Sequence, residues 1–199
     1  MPLQTIVLFT LLALLVFWTV GAYNRLVRFK NIITNAFGQI DVQLKRRYDL
    51  IPNLVEAAKK YLQHEYATLE AVIAARNQAR TANDAVRSRP GKADAVIALA
   101  AAEQALDGSL GRLFAVAEAY PDLKGDKTIR ELSEELTSTE NKVGFARQAY
   151  NDAVLDYNNA QGQFPTLLIA RIFGFVPSAM LRATENPAER QGVRIQFDS

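Results

Sequence analysis

The first charged side chain in this sequence is Arg25. Ahead of it, residues 3–22 read LQTIVLFTLLALLVFWTVGA, a run without an ionisable group and dominated by Leu, Val, Ile and Phe. As a helix rising about 1.5 Å per residue, the run covers roughly 30 Å, the thickness of a bilayer core. Trp18 and Tyr23 lie near its far end, where aromatic rings favour the membrane–water interface. A cleaved signal peptide is the competing reading, since Val20-Gly21-Ala22 ends in a small residue. No basic stretch precedes the run, and it is longer than a signal core. Both points favour a retained transmembrane anchor over residues 1–22. Arg25, Arg28 and Lys30 follow at once, so the positive-inside rule places the bulk of the chain in the cytoplasm. The bias rests on these three cations, which leaves a periplasmic or extracellular bundle as the alternative.

Composition excludes several classes of function. Lys and Arg total 23 against 21 Asp and Glu, a net charge of +2, which argues against a nucleic-acid binder. There is no cysteine, so disulfides, thiolate metal sites and cysteine nucleophiles are excluded. His64 is the single histidine, which excludes any two-histidine metal site. No cofactor or metal is expected.

The rest of the chain reads as helix. Tyr23, Leu26, Ile33, Phe37, Ile40, Leu44 and Tyr48 form one amphipathic stripe, continuous with the apolar run. Pro52 lacks a backbone donor and disfavours helix before it, so Asp49–Pro52 is expected as a turn. Asn53 with Glu56 would cap a second helix running from Leu54 to about Arg87. Arg89-Pro90-Gly91 marks a turn before a third helix over about Ala93–Tyr120. Thr128 with Glu131 has capping-box spacing for a fourth, which ends before Phe164-Pro165. The expected fold is all-α: an N-terminal transmembrane helix continuing into a long antiparallel up-down four-helix bundle over residues 23–164. Residues 165–180, PTLLIARIFGFVPSAM, form an apolar segment too short to span a membrane. Residues 181–199 are polar and expected as a flexible tail.

At this point the sequence resembles a known family. The runs YNRLVRFKNIITNA (23–36), QIDVQLKRRY (39–48) and DLIPNLV (49–55), with His64-Glu65, are similar to the N-terminal signature of the LemA family of bacterial membrane proteins. Further matches are Ala75-Arg76, EAYPDLK (118–124), Thr139-Glu140, ARQAYN (146–151), Tyr157-Asn158, Phe164-Pro165 and FGF (173–175). The resemblance covers about residues 3 to 176. It implies one N-terminal membrane helix, a helical bundle, a bacterial cytoplasmic membrane location and no established catalytic activity. Family members are often encoded near a membrane metalloprotease or small membrane proteins with Gly-rich tails, and a related protein belongs to the magnetosome membrane set. By analogy this implies envelope organisation or membrane-protein quality control.

Three sets of residues are candidates for function. Lys45, Arg46 and Arg47 could meet lipid phosphate or an acidic protein face, or simply complement the dipole at a helix C-terminus. Glu140, Arg147, Asn151 and Asn158 share one helical face, and Arg76 and Glu118 could meet it. A buried polar seam that fixes helix register explains that spacing better than catalysis does. Phe173 and Phe175 belong to the apolar segment 165–180, which should return to the membrane and contact lipid or another copy. His64-Glu65 lacks the Glu-x-x-His spacing of a di-iron bundle, and Gly108–Gly111 lacks the Lys and Ser/Thr of a phosphate loop. The reading is a non-enzymatic, homo-oligomeric scaffold touching membrane lipids but not nucleic acid. The alternative is an adaptor regulating an envelope protease or membrane-protein quality control.

Overall fold

The computed structural model describes residues 2–181; of the expected polar tail only Leu181 lies among them. Helix α1 runs from Leu3 to Lys59, about 85 Å at 1.5 Å per residue. Its first five turns lie almost wholly uncovered by protein. Among the described residues it is the one helix long and apolar enough to cross a bilayer. From Ala22 onward its inner stripe, including Leu26, Phe37, Leu44, Tyr48 and Ile51, is buried.

The turn expected at Asp49–Pro52 does not form. Pro52 lies inside α1, where its missing N–H strands the Tyr48 carbonyl four residues back. Arg76 of the neighbouring helix supplies the donor instead, its Nε lying 2.9 Å from the Tyr48 oxygen. The break comes at residues 60–65, where Leu62 is fully buried and Tyr61 donates to Asp126 Oδ2 at 2.9 Å. Helix α2 accordingly spans Tyr66–Ser88 rather than beginning at Leu54, and Asn53 caps nothing.

Helix α3 spans Ala93–Ala117, and a short α4, Pro121–Gly125, leads into α5, Lys127–Gly162. Asp126 caps α5 by accepting from the Thr128 and Ile129 amides, two residues ahead of the capping box expected at Thr128. Glu131 pairs instead with Lys127, at 3.6 Å. Helix α6, Thr166–Ile172, follows Pro165.

Cross-helix pairs fix the topology. Asp41 meets Asn83 and Tyr48 meets Arg76, so α1 and α2 are antiparallel. Phe37 stacks edge-on with Tyr150, and Arg46 bonds Glu135, so α5 is also antiparallel to α1. Ile33 approaches Gly91 while Arg47 reaches Glu103 and Asp107, so α3 runs parallel to α1. The four long helices thus alternate up and down about one core. Its largest fully buried side chains are Tyr48, Tyr150, Tyr157 and Phe37.

Candidate functional site

Two polar constellations stand out, one halfway along the bundle and one at the end where α1 leaves its apolar run. The first is built around Arg47, which is 4% exposed. Its Nη1 donates to Glu103 Oε2 at 2.9 Å, and its Nη2 donates to Asp107. The Tyr48 hydroxyl donates to the other Glu103 oxygen. Glu103 and Asp107 sit one turn apart on α3, so both reach the same guanidinium. Nearly two turns earlier on α1, Asp41 accepts from Asn83 at 2.6 Å and from Lys45 at 2.7 Å. Beside Arg47 a cavity of about 270 Å³ opens between α1, α3 and α5, bordered also by Glu140, Arg147 and Leu181.

The titration of these groups follows from burial and charge. Burial opposes the charge on Arg47, but Asp107, Glu103 and Glu140 outweigh it and raise its pKa. Burial, and then the charge of Glu103, push the Tyr48 phenol well above its ordinary range. Glu103 itself is raised by burial, although Tyr48 and Arg47 pull the other way. Glu103 thus accepts from Tyr48 and Arg47 at once, which ties the phenol and the guanidinium to one carboxylate. The arrangement neutralises buried charge and sets the register of α1 against α3.

The second constellation holds segment 175–181 against the bundle. Asn158 Nδ2 donates to the Ser178 carbonyl and its Oδ1 accepts from the Ser178 amide, both at 2.9 Å. Asn151 treats Leu181 the same way, at 3.2 and 2.8 Å. Tyr150 donates to the Ala179 carbonyl at 3.0 Å and Tyr157 to Val176 at 2.9 Å. The Ala179 amide donates to the Gly91 carbonyl at 3.0 Å. Gly91 has φ +83°, and a Cβ there would lie 2.7 Å from Ser178 Oγ, so the strap passes directly over the α2–α3 turn. Ahead of the strap, Phe173 and Phe175 pack edge-on against Tyr23 at 5.0 and 5.5 Å.

These placements revise several expectations. Lys45, Arg46 and Arg47 lie within α1 rather than at a helix end, so no C-terminal dipole holds them. Each has a partner inside the chain: Asp41, Glu135, and the Glu103–Asp107 pair. The six residues expected to share one polar seam do not. Arg76 serves the Tyr48 carbonyl, and Glu118 pairs with Lys124. Glu140 and Arg147 border the central cavity, while Asn151 and Asn158 clamp the strap. Residues the sequence reading passed over carry most of the central layer. Glu103 falls between Leu99 and Leu106 where the apolar stripe of α3 expects another apolar residue, an interruption that could have marked it, whereas the half-exposed Asp107 leaves no such signal. Among the described residues no group of three His, Cys, Asp or Glu is placed to hold a metal.

A long apolar helix running into an all-α bundle defines a membrane-associated helical protein. Its relatives make the class specific. The model of the LemA family matches residues 36–197, and the chain belongs to that family. It is 26% identical over 181 residues to Protein LemA of Metamycoplasma hominis, covering 90% of this chain and 78% of the relative. It is 24% identical over 191 residues to Magnetosome protein MamQ of Magnetospirillum gryphiswaldense, covering 87% and 70%. Magnetosome protein MamQ 2 of Paramagnetospirillum magneticum is 33% identical over 78 residues, covering 39% and 29%.

Proposed function

We propose that the chain works without catalysis, as a membrane-held scaffold that assembles with copies of itself. Its bundle is proposed to lie on the cytoplasmic side of the bacterial inner membrane, next to Arg25, Arg28 and Lys30. The carrying observation is Phe145, 76% exposed on α5. With Phe37 facing Tyr150 in an antiparallel pair, Phe145 falls at the level of Val42 on α1, which is also exposed. Large apolar side chains left open on the flank of a self-paired bundle favour contact with another protein surface. Tethering to one membrane raises the effective concentration of neighbouring copies and favours self-contact.

The absence of native cysteine makes the test clean. Phe145→Cys in the full-length protein, oxidised in native membranes, should give a disulfide-linked band at twice the chain mass. A cysteine at Gln78, exposed on α2 and so away from the Phe145 face, should give much less. A linked species containing one foreign protein would favour the adaptor reading, and a monomer at both positions would exclude self-assembly through this flank.

A further inference from the structure

We propose that α6 and the first turns of α1 beyond the apolar run form a second membrane attachment, lying at the headgroup level of an anionic bilayer. Such an attachment needs only that the protein be membrane-associated and is independent of any scaffold role. Register sets the height. With Phe37 opposite Tyr150 along antiparallel helices, Gln163 at the foot of α5 falls level with Asn24, just past the apolar run. The contact of Phe173 and Phe175 with Tyr23 places the other end of α6 at the same level.

At that level the surface is apolar and cationic. Phe164 is 80% exposed and Ile172 74%, and Leu168, Phe173 and Val176 are also open. Ile169 and Ala170 are buried, so α6 packs one apolar face on the bundle and leaves Leu168 and Ile172 uncovered on the other. No Asp or Glu occurs in residues 2–40 or 157–181. Arg25, Arg28, Lys30 and Arg171 pair with no carboxylate among the described residues. Arg25 and Arg28 lie 5.7 and 5.8 Å from the Phe29 ring, and Lys30 lies 5.6 Å from that of Phe175. Aromatic rings and cations mixed at one height suit the boundary between acyl chains and lipid phosphates. A second copy docked face to face would oppose the same cations, whereas anionic headgroups complement them.

The test uses the full-length protein in phosphatidylcholine–phosphatidylglycerol vesicles with Trp18, the sole tryptophan, replaced by Phe. Ile172→Trp is the reporter, and Tyr66→Trp at the opposite end of the bundle is the control. Lipids brominated on their acyl chains should quench residue 172 at least about threefold more than residue 66. Removing phosphatidylglycerol should cut that quenching by about half. Val176→Trp serves as a second reporter should the first disturb α6. Absence of lipid quenching at both reporters overturns the proposal, and so does protection that grows with the protein-to-lipid ratio, which assigns the face to a second copy. Quenching that is unchanged without phosphatidylglycerol overturns the anionic preference. Trp18 in the unmodified chain reports insertion of α1 separately, so loss of its quenching would signal failure of the membrane reading itself.

Discussion

At the level of Arg47 the bundle buries charge, whereas at the level of Asn158 it buries irregular backbone. The central layer sets one guanidinium against two carboxylates, with Tyr48 completing Glu103. Arg47 is the hub of that layer: its loss takes a partner from both Glu103 and Asp107 and leaves the little-exposed Glu103 with Tyr48 alone. The strap is held differently. Asn151 and Asn158 each offer one donor and one acceptor to a peptide unit without regular partners, and Tyr150 and Tyr157 add single bonds nearby. Those contacts are parallel rather than interdependent, so losing one leaves the rest standing. Buried ionic layers fail as units, and amide clamps fail locally.

The sharpest way to break that contrast is Arg47→Ala. It leaves Glu103 and Asp107 facing each other beside a buried phenol, and should destabilise the full-length protein by about 3–5 kcal/mol in detergent. Far-UV circular dichroism should show the whole bundle melting earlier. The deficit should shrink on acidification, because burial already raises the pKa of Glu103 and a protonated Glu103 no longer needs the cation. A deficit under about 1 kcal/mol would mean that water, not Arg47, neutralises the layer.

Asn158→Ala is next in size. It strands the Ser178 amide and carbonyl, at a cost of about 2 kcal/mol. The loss should be local: hydrogen exchange should quicken at residues 176–181 while amides near Arg47 keep their protection. Asn158→Asp should not rescue it, since a carboxylate accepts from the Ser178 amide but cannot donate to its carbonyl. Acceleration throughout α1 and α5 would show the strap to be part of the same cooperative unit.

A smaller effect tests the edge of the central layer. Arg76→Ala should cost about 1–2 kcal/mol by orphaning the Tyr48 carbonyl. Pro52→Ala restores the helical N–H, so the Arg76 substitution should cost about 1 kcal/mol less in that background. Additive costs would remove Pro52 from the account of why Arg76 sits there.

The same contrast explains what the sequence made legible. Apolar stripes set by helical period were readable, so the long first helix, the start of α3 at Ala93 and the end of α5 before Phe164 were all foreseen. Pro52 misled because its cost depends on whether another element can supply a donor, and Arg76 lies 24 residues further along. The start of α2 was misplaced for the same reason. The central layer is half visible: Lys45-Arg46-Arg47 is conspicuous and Asp41 stands one turn before Lys45, but the partners of Arg46 and Arg47 lie on α5 and α3 and become partners only through packing. Asn151 and Asn158 stand seven residues apart on α5, and both bond the strap. Their partner was missed because peptide groups of an irregular segment leave no trace in side-chain periodicity.

The finest prediction separates the two regions by pH. Tyr150 donates to the Ala179 carbonyl, and burial pushes its phenol up to about 12 from an ordinary 10.0. Below about pH 10 the folded and unfolded forms both keep the proton, so the stabilising contribution is fully present. Between about 10 and about 12 the unfolded phenol ionises while the folded one stays neutral. The folded state then binds more protons, and stability falls as pH rises, by at most about 1.4 kcal/mol per pH unit from this group. Tyr150→Phe removes both the bond and the titration. It should cost about 1 kcal/mol at neutral pH, since the carbonyl it strands is the cheaper partner to lose. Its stability should then decline less steeply than that of the parent above pH 10, so the two curves converge and cross. The residual slope includes Tyr48 and Tyr157, whose phenols burial also raises, and Tyr61, raised by its bond to Asp126. Denaturant titrations of both proteins across this range decide the matter: parallel curves would mean that Tyr150 is reached by solvent before unfolding, and that the strap opens ahead of the ionic layer.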